Sequence, residues 1–183
     1  MKTRDTRTWR HGLPNVAAAL LAAGTLAACG PTATPSTTTP ASPHAGATTA
    51  ATLTTVDGKS IDLPAAAPTA VLFFSFGCGE CVGGGKSLAA AQAAVQKVGG
   101  HARFLAVDMV PTESTADVGT FLDQVNGAGL PAVVDTNGAL TSRYQVSAQT
   151  TVLVIDPAGQ VTYRGHAPSQ DQILAALGPS ASP

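Results

Sequence analysis

The sequence is short of charge and of aromatic residues. Charged residues fill 11% of its 183 positions and aromatics 4%. Ten Lys and Arg stand against eleven Asp and Glu, a formal net charge of −1. So few cations cannot neutralise the rows of phosphates on which nucleic-acid affinity rests, so no nucleic-acid partner is expected. The near balance of sign also excludes a strongly basic or acidic tail protein. What is plentiful is small and apolar. The hydrophobic class reaches 44%, too much for a wholly disordered chain. The length suits one domain with extensions, and no internal repeat is present.

The charge is unevenly placed. Lys2, Arg4, Arg7 and Arg10 precede position 11 together with a single acid, Asp5. The remainder holds six basic and ten acidic residues, a net of −4. After the basic stretch, Val16 to Ala28 is small and apolar, interrupted by Gly24 and Thr25. Such a run is well short of the roughly 20 residues that span a bilayer, and it fits the apolar region of an export signal. Arg4, Arg7 and Arg10 are not adjacent, which gives no support to a twin-arginine route. The run ends in Leu26-Ala27-Ala28-Cys29, which resembles the lipobox of bacterial lipoproteins. The resemblance implies a lipidated Cys29 that becomes the N-terminus after cleavage and holds the protein on the outer face of the cell membrane. An ordinary secretory signal is the alternative. Residues 1–28 are therefore expected to be the signal. Residues 29–51, rich in Thr, Pro and Ala and without charge, are expected to be a disordered tether that buries too little to repay its ordering.

The expected domain covers 52–178, with 179–183 as a disordered tail. Leu53–Val56 and Lys59–Leu63 alternate around Asp57-Gly58, a hairpin signature. Ala70–Phe76 is a nearly continuous apolar run, as in a strand buried on both faces. Residues 82–98 carry Leu88, Ala91, Val95 and Val98 at helical spacing, despite the weakening expected of Gly83-Gly84-Gly85. Phe104–Asp108 reads as a strand, Ser114–Val125 as a helix, Pro131–Asp135 as a short strand and Gly138–Tyr144 as a helical turn. Thr150–Ile155 and Gln160–Arg164 form strands around Asp156-Pro157-Ala158-Gly159, and Asp171–Leu177 closes as a helix. Early alternation of strand and helix predicts a parallel core, to which the late hairpin adds antiparallel strands.

With Cys29 set aside, Cys78 and Cys81 remain as a lone Cys-x-x-Cys. It falls where the first buried strand gives way to the first helix. A helix N-terminus presents unpaired N–H groups and partial positive charge, which favour thiolate over thiol. A cysteine there drops from about 8.5 into the range of roughly 3.5–7.5. Cys78 is then the exposed nucleophile, and Cys81, one turn on, the more buried thiol that resolves a mixed disulfide. Glu80 lies between them, and its charge opposes thiolate formation at Cys78.

From Thr52 to Leu177 the chain resembles the thioredoxin-like (redoxin) family, and within it the membrane-anchored thiol–disulfide oxidoreductases of the bacterial surface. The residues that carry the likeness are Asp57-Gly58-Lys59, Val71–Phe76 leading into Cys78-Gly79-Glu80-Cys81, Phe104–Asp108, and Tyr144-x-Val146 followed by Thr151–Asp156 and Gly159. It implies an α/β thioredoxin fold: a mixed central sheet flanked by helices, an N-terminal β-hairpin, and an inserted helix and strand at Ser114–Asp135. It also implies protein thiol or disulfide substrates, a redox partner that resets the pair, and no cofactor. Three positions depart from the family pattern. Phe76-Gly77 replaces a Trp before the first cysteine. Gly79-Glu80 fills the dipeptide usually containing Pro, and Thr150 falls where the family has a cis-proline. A cis bond before Thr costs about 3–4 kcal/mol, so Gln149–Thr150 is expected to be trans, with Thr150 facing Cys78. Gly79, Glu80 and Thr150 are thus candidates for tuning the potential or shaping the substrate groove.

Other readings are weaker. A purely structural disulfide across two residues closes too small a loop to stabilise much. A redox-inert binding module of the same fold would use the same groove. A zinc ribbon needs a second ligand pair, which His11, His44, His101 and His166 do not supply, so no metal is expected. Copper-delivery proteins of this fold need a His before the Thr150–Ile155 strand, where Ser147-Ala148-Gln149 stands. Gly79 to Ser87 imitates a phosphate loop with the wrong glycine spacing. Asp108 reads as a capping or turn residue, and His101 and His166 as surface residues.

Overall fold

Side chains alternate across a strand, so a six-residue run that is apolar throughout needs cover on both faces. Strand β3 (Thr69–Phe74) is such a run, buried along its whole length. It sits at the centre of a five-stranded sheet in the computed structural model, which describes residues 49–182. Its neighbours are β4 (Arg103–Asp108), parallel, and β6 (Thr151–Ile155), antiparallel. Outside these lie β5 (Ala132–Val134), parallel to β4, and β7 (Val161–His166), antiparallel to β6 with an irregularity at Val154/Ile155. Strands β1 (Ala51–Thr54) and β2 (Ser60–Leu63) pair separately as the hairpin expected around Asp57-Gly58. Gly58 takes φ +79°, the left-handed conformation that the turn requires. The Val56 N–H joins the hairpin to the Ala132 carbonyl of β5.

Helices α1 (Gly79–Val98), α2 (Thr115–Gln124) and α4 (Gln170–Leu177) cover one face of the sheet. There Ala70, Leu72 and Phe74 pack with Leu88, Val95, Val118, Phe121 and Ile173. The Phe74 and Phe121 rings stack at 3.9 Å. Val71 and Phe73 point the other way, toward Leu63 of the hairpin and Leu140 and Tyr144 at α3 (Ala139–Arg143) and its end. Helices α2 and α4 each begin with a reciprocal capping box, Ser114 with Asp117 and Ser169 with Gln172. Helix α1 ends at Gly99 in the left-handed conformation (φ +72°). This is the mixed α/β thioredoxin-type arrangement that the sequence resemblance implied.

Three details differ from the sequence reading. Helix α1 begins at Gly79, three residues before the 82–98 span read from the sequence, and the Cys-x-x-Cys lies at its start as expected. Val98 leaves the apolar stripe, 46% exposed at the final turn. The tail expected to be disordered forms a 3-10 turn, Gly178–Ala181. There the Ser180 carbonyl accepts hydrogen bonds from the His101 and Ala102 N–H groups, while Ala181 packs on the core. Those contacts satisfy the backbone ahead of β4. The segments expected to be a signal and a tether, with Cys29 between them, lie wholly or mostly outside the described residues, within which no helix is long and apolar enough to cross a membrane.

Candidate active site

Strand β3 is anchored on both sides, so its C-terminal end delivers Ser75 to Cys78 to a fixed point above the sheet. Cys78 is the N-cap of α1, with extended backbone (φ −86°, ψ 110°). Its Sγ accepts the Cys81 N–H at 3.2 Å, in place of the oxygen a Ser or Asp cap would offer. Cys78 and Cys81 are joined in a disulfide with Cα atoms 5.3 Å apart, within the ordinary range for such a bond. Exposure is unequal. Cys78 is half-buried, whereas Cys81 is fully buried in the core.

Thr150, immediately ahead of β6, closes the site. Its Oγ1 is 3.3 Å from Cys81 Sγ and 3.8 Å from Cys78 Sγ, and its side chain is buried. The Gln149–Thr150 bond is trans, but the residue takes φ +60°. A β-branched residue in the left-handed region is an outlier, and such strain costs on the order of 1–3 kcal/mol. The surroundings hold it there. The Thr150 carbonyl accepts the Ala167 N–H at 2.8 Å, and the Thr151 hydroxyl donates to the Ala148 carbonyl at 2.7 Å.

The structure also explains the glycine run. A Cβ on Gly84 would lie 2.7 Å from Thr150 Cγ2, and one on Gly85 2.6 Å from Val125 Cγ1. Gly84 therefore admits Thr150, and Gly85 admits α2. Gly83 and Gly79 both face open space, so neither is needed sterically. Sequence reasoning treated all three central glycines as one weakness of the helix.

Three acidic neighbours have different surroundings. Glu80 is exposed, with Oε2 3.8 Å from His166 Nε2 on β7, which brings His166 to the rim of the site rather than to unrelated surface. Behind the loop, Glu113 Oε2 accepts the Phe76 N–H at 2.7 Å. Nothing in the linear sequence pointed to that link across 37 positions. Asp108, fully buried at the end of β4, accepts the Val110 N–H through Oδ1. Its Oδ2 has no hydrogen-bond partner among the described residues. Burial pushes this carboxyl up to about 7 against the lowering effect of the Val110 N–H, and the neighbouring Glu113 and Asp117 add to the rise. Asp108 thus combines the turn-capping role expected of it with a proton-holding character.

Among the described residues no cluster of three or more metal-ligating side chains occurs.

No family model matches the chain. A Streptomyces lividans protein called mercury resistance operon ORF3 is 48% identical over 134 residues, 73% of this chain and 71% of the relative. The chain belongs to that ORF3 family. Among solved structures, StoA from Bacillus subtilis superposes with a TM-score of 0.58 at 20% identity, over 68% of this chain and 92% of StoA. A secreted Mycobacterium tuberculosis disulfide oxidoreductase homologous to E. coli DsbE gives 0.56 at 20% identity, over 69% and 92%. The exposed lipoprotein thioredoxin Etrx1 of Streptococcus pneumoniae gives 0.58 at 25% identity, over 70% and 97%. This ORF3 family member therefore has the fold of the thiol–disulfide oxidoreductases and carries a disulfide-bonded Cys-x-x-Cys within it.

Proposed function

We propose that the protein is an extracytoplasmic thiol–disulfide oxidoreductase, lipid-anchored through Cys29, that exchanges electrons with protein thiols and disulfides through Cys78 and Cys81. The observation that carries this reading is the unequal pair at the start of α1, one sulfur accessible and one buried. The Cys78 thiolate, favoured by the Cys81 N–H and the helix terminus, attacks a substrate sulfur and forms a mixed disulfide. Cys81 then attacks Cys78 Sγ, releases the substrate thiol and closes the internal disulfide. A separate redox partner resets the pair, and either direction uses the same geometry. Gly79, Glu80 and Thr150 line or tune the groove.

The decisive experiment is trapping. Cys81→Ser should accumulate a mixed disulfide through Cys78, and Cys78→Ser should not. Equal trapping through either cysteine would overturn the division of roles. Anchoring has its own test. Cys29→Ala should leave a folded domain that is released from the membrane or left unprocessed. Fully processed mutant in the membrane fraction would count against lipidation. The export reading draws support from the basic stretch and apolar run before Cys29.

The kinship with a protein of a mercury resistance operon favours a second reading. When reduced, two adjacent thiolates suit a soft, two-coordinate cation such as Hg(II). Titration of the reduced protein with Hg(II) should saturate at one ion per pair and block disulfide exchange. Exchange that continues at saturation would exclude this use of the pair.

A further inference from the structure

The pair of sulfurs does not share Thr150 equally, and the chemistry of the two steps gives the difference meaning. Cys78 already has a donor in the Cys81 N–H and stands at the helix terminus. Cys81 is fully buried, one turn into α1, where burial favours the neutral, unreactive thiol. The Thr150 hydroxyl lies nearer to Cys81 Sγ, at 3.3 Å, than to Cys78 Sγ, at 3.8 Å. Resting on the oxidoreductase reading above, we propose that Thr150 is a positioning residue for the resolving cysteine. In this role its hydroxyl donates to the Cys81 thiolate, and Gly84 leaves the gap that lets it reach.

The placement is specific. The left-handed backbone at Thr150 is fixed by the Ala167 N–H, and its methyl occupies the space over Gly84 that any Cβ would fill. In the resolving step the Cys81 thiolate attacks Cys78 Sγ of the mixed disulfide. The bond from Cys78 to the substrate sulfur breaks, and the substrate leaves as a thiolate that takes up the proton lost by Cys81. The whole turnover oxidises the dithiol by two electrons and reduces one substrate disulfide to two thiols. In the reverse direction Cys81 is the leaving group, and a donor to its thiolate speeds that step too. The hydroxyl therefore acts on closure and opening of the internal disulfide alike, while the first attack on substrate depends on Cys78.

A stopped-flow experiment on the reduced full chain carrying Cys29→Ala, so that Cys78 and Cys81 are its only thiols, separates the two steps. With the protein in excess over a chromogenic aryl disulfide, attack by Cys78 releases a first coloured thiolate and resolution by Cys81 releases a second. Thr150→Val should slow the second phase by roughly tenfold, the size expected for loss of a hydrogen bond to a charged group, and slow the first by a clearly smaller factor. The pH midpoint of the second phase should rise. Thr150→Ser, which keeps the hydroxyl, should restore both rate and midpoint. An unchanged second phase in Thr150→Val would overturn the proposal, and so would slowing confined to the first phase, which would assign the hydroxyl to Cys78. Failure of the parent reading looks different: the second phase would be missing from the unmodified protein or would persist in Cys81→Ser.

Discussion

Asp108→Asn tests whether a buried carboxyl sets the pH dependence of stability. An unfolded Asp titrates near 3.8, whereas burial holds Asp108 up at about 7. Below about pH 4 the carboxyl is protonated in both states and costs nothing. As the pH rises toward 7 the unfolded chain ionises and the folded one does not, so stability falls. Above the folded value the full cost is present. Forcing this carboxyl to ionise in the fold, at about 7 instead of 3.8, costs on the order of a few kcal/mol. Asn has nearly the same shape, keeps an acceptor for the Val110 N–H and never ionises. The variant should therefore match the wild type near pH 4 and exceed it by a few kcal/mol near pH 8. Asp57 does not confuse the window, because Lys59 and Thr55 hold its carboxyl down to about 2. Urea unfolding of the oxidised proteins at several pH values gives the difference directly. Glu113→Gln, which removes the neighbouring negative charge and keeps an acceptor for Phe76, should let Asp108 ionise at lower pH and so reduce the stability lost by pH 8. A stability gap between Asp108→Asn and wild type that is the same at both ends of the range would refute the reasoning.

Two further perturbations follow from the site. Gly84→Ala should cost about 1–3 kcal/mol through overpacking against Thr150, whereas Gly83→Ala, facing open space, should gain up to about 1 kcal/mol of helix stability; equal midpoints in urea for the two variants would contradict the packing described. Glu80→Gln removes a negative charge beside Cys78 and should raise the thiolate fraction at neutral pH, read from ultraviolet thiolate absorbance, with no change showing that Glu80 is too well solvated to act.

The core strands were legible because their apolar runs have one meaning at that length. β3 and β6 had to be covered on both faces, and the turn at Asp57-Gly58 announced its hairpin. The dithiol was legible for the same local reason, since a strand end, a glycine and a helix start are written in consecutive residues. Contacts between distant segments were hidden. Gly84 looked like a helix defect because its partner, Thr150, lies 66 positions away in sequence, and a gap left for a methyl has no local signature. His166 reached the rim through the β6–β7 register, with His166 opposite Thr151. The tail was misread for a related reason. Gly-Pro-Ser-Ala has little to bury, and what orders it is the pair of N–H groups at His101 and Ala102 that need an acceptor.

The two borders of the five-stranded sheet face association with other chains differently. On the β5 side the Val56 N–H already occupies the Ala132 carbonyl, so the hairpin acts as a stopper against further strand addition. Among the described residues the β7 side has no such cover, and its own residues are largely exposed. Its defence is the broken register at Val154/Ile155 and the exposed charge of Arg164, whose guanidinium is tied to the Tyr144 carbonyl. An irregular, cationic border resists templating by a second copy, and it keeps strand addition away from the border on which His166 flanks the dithiol.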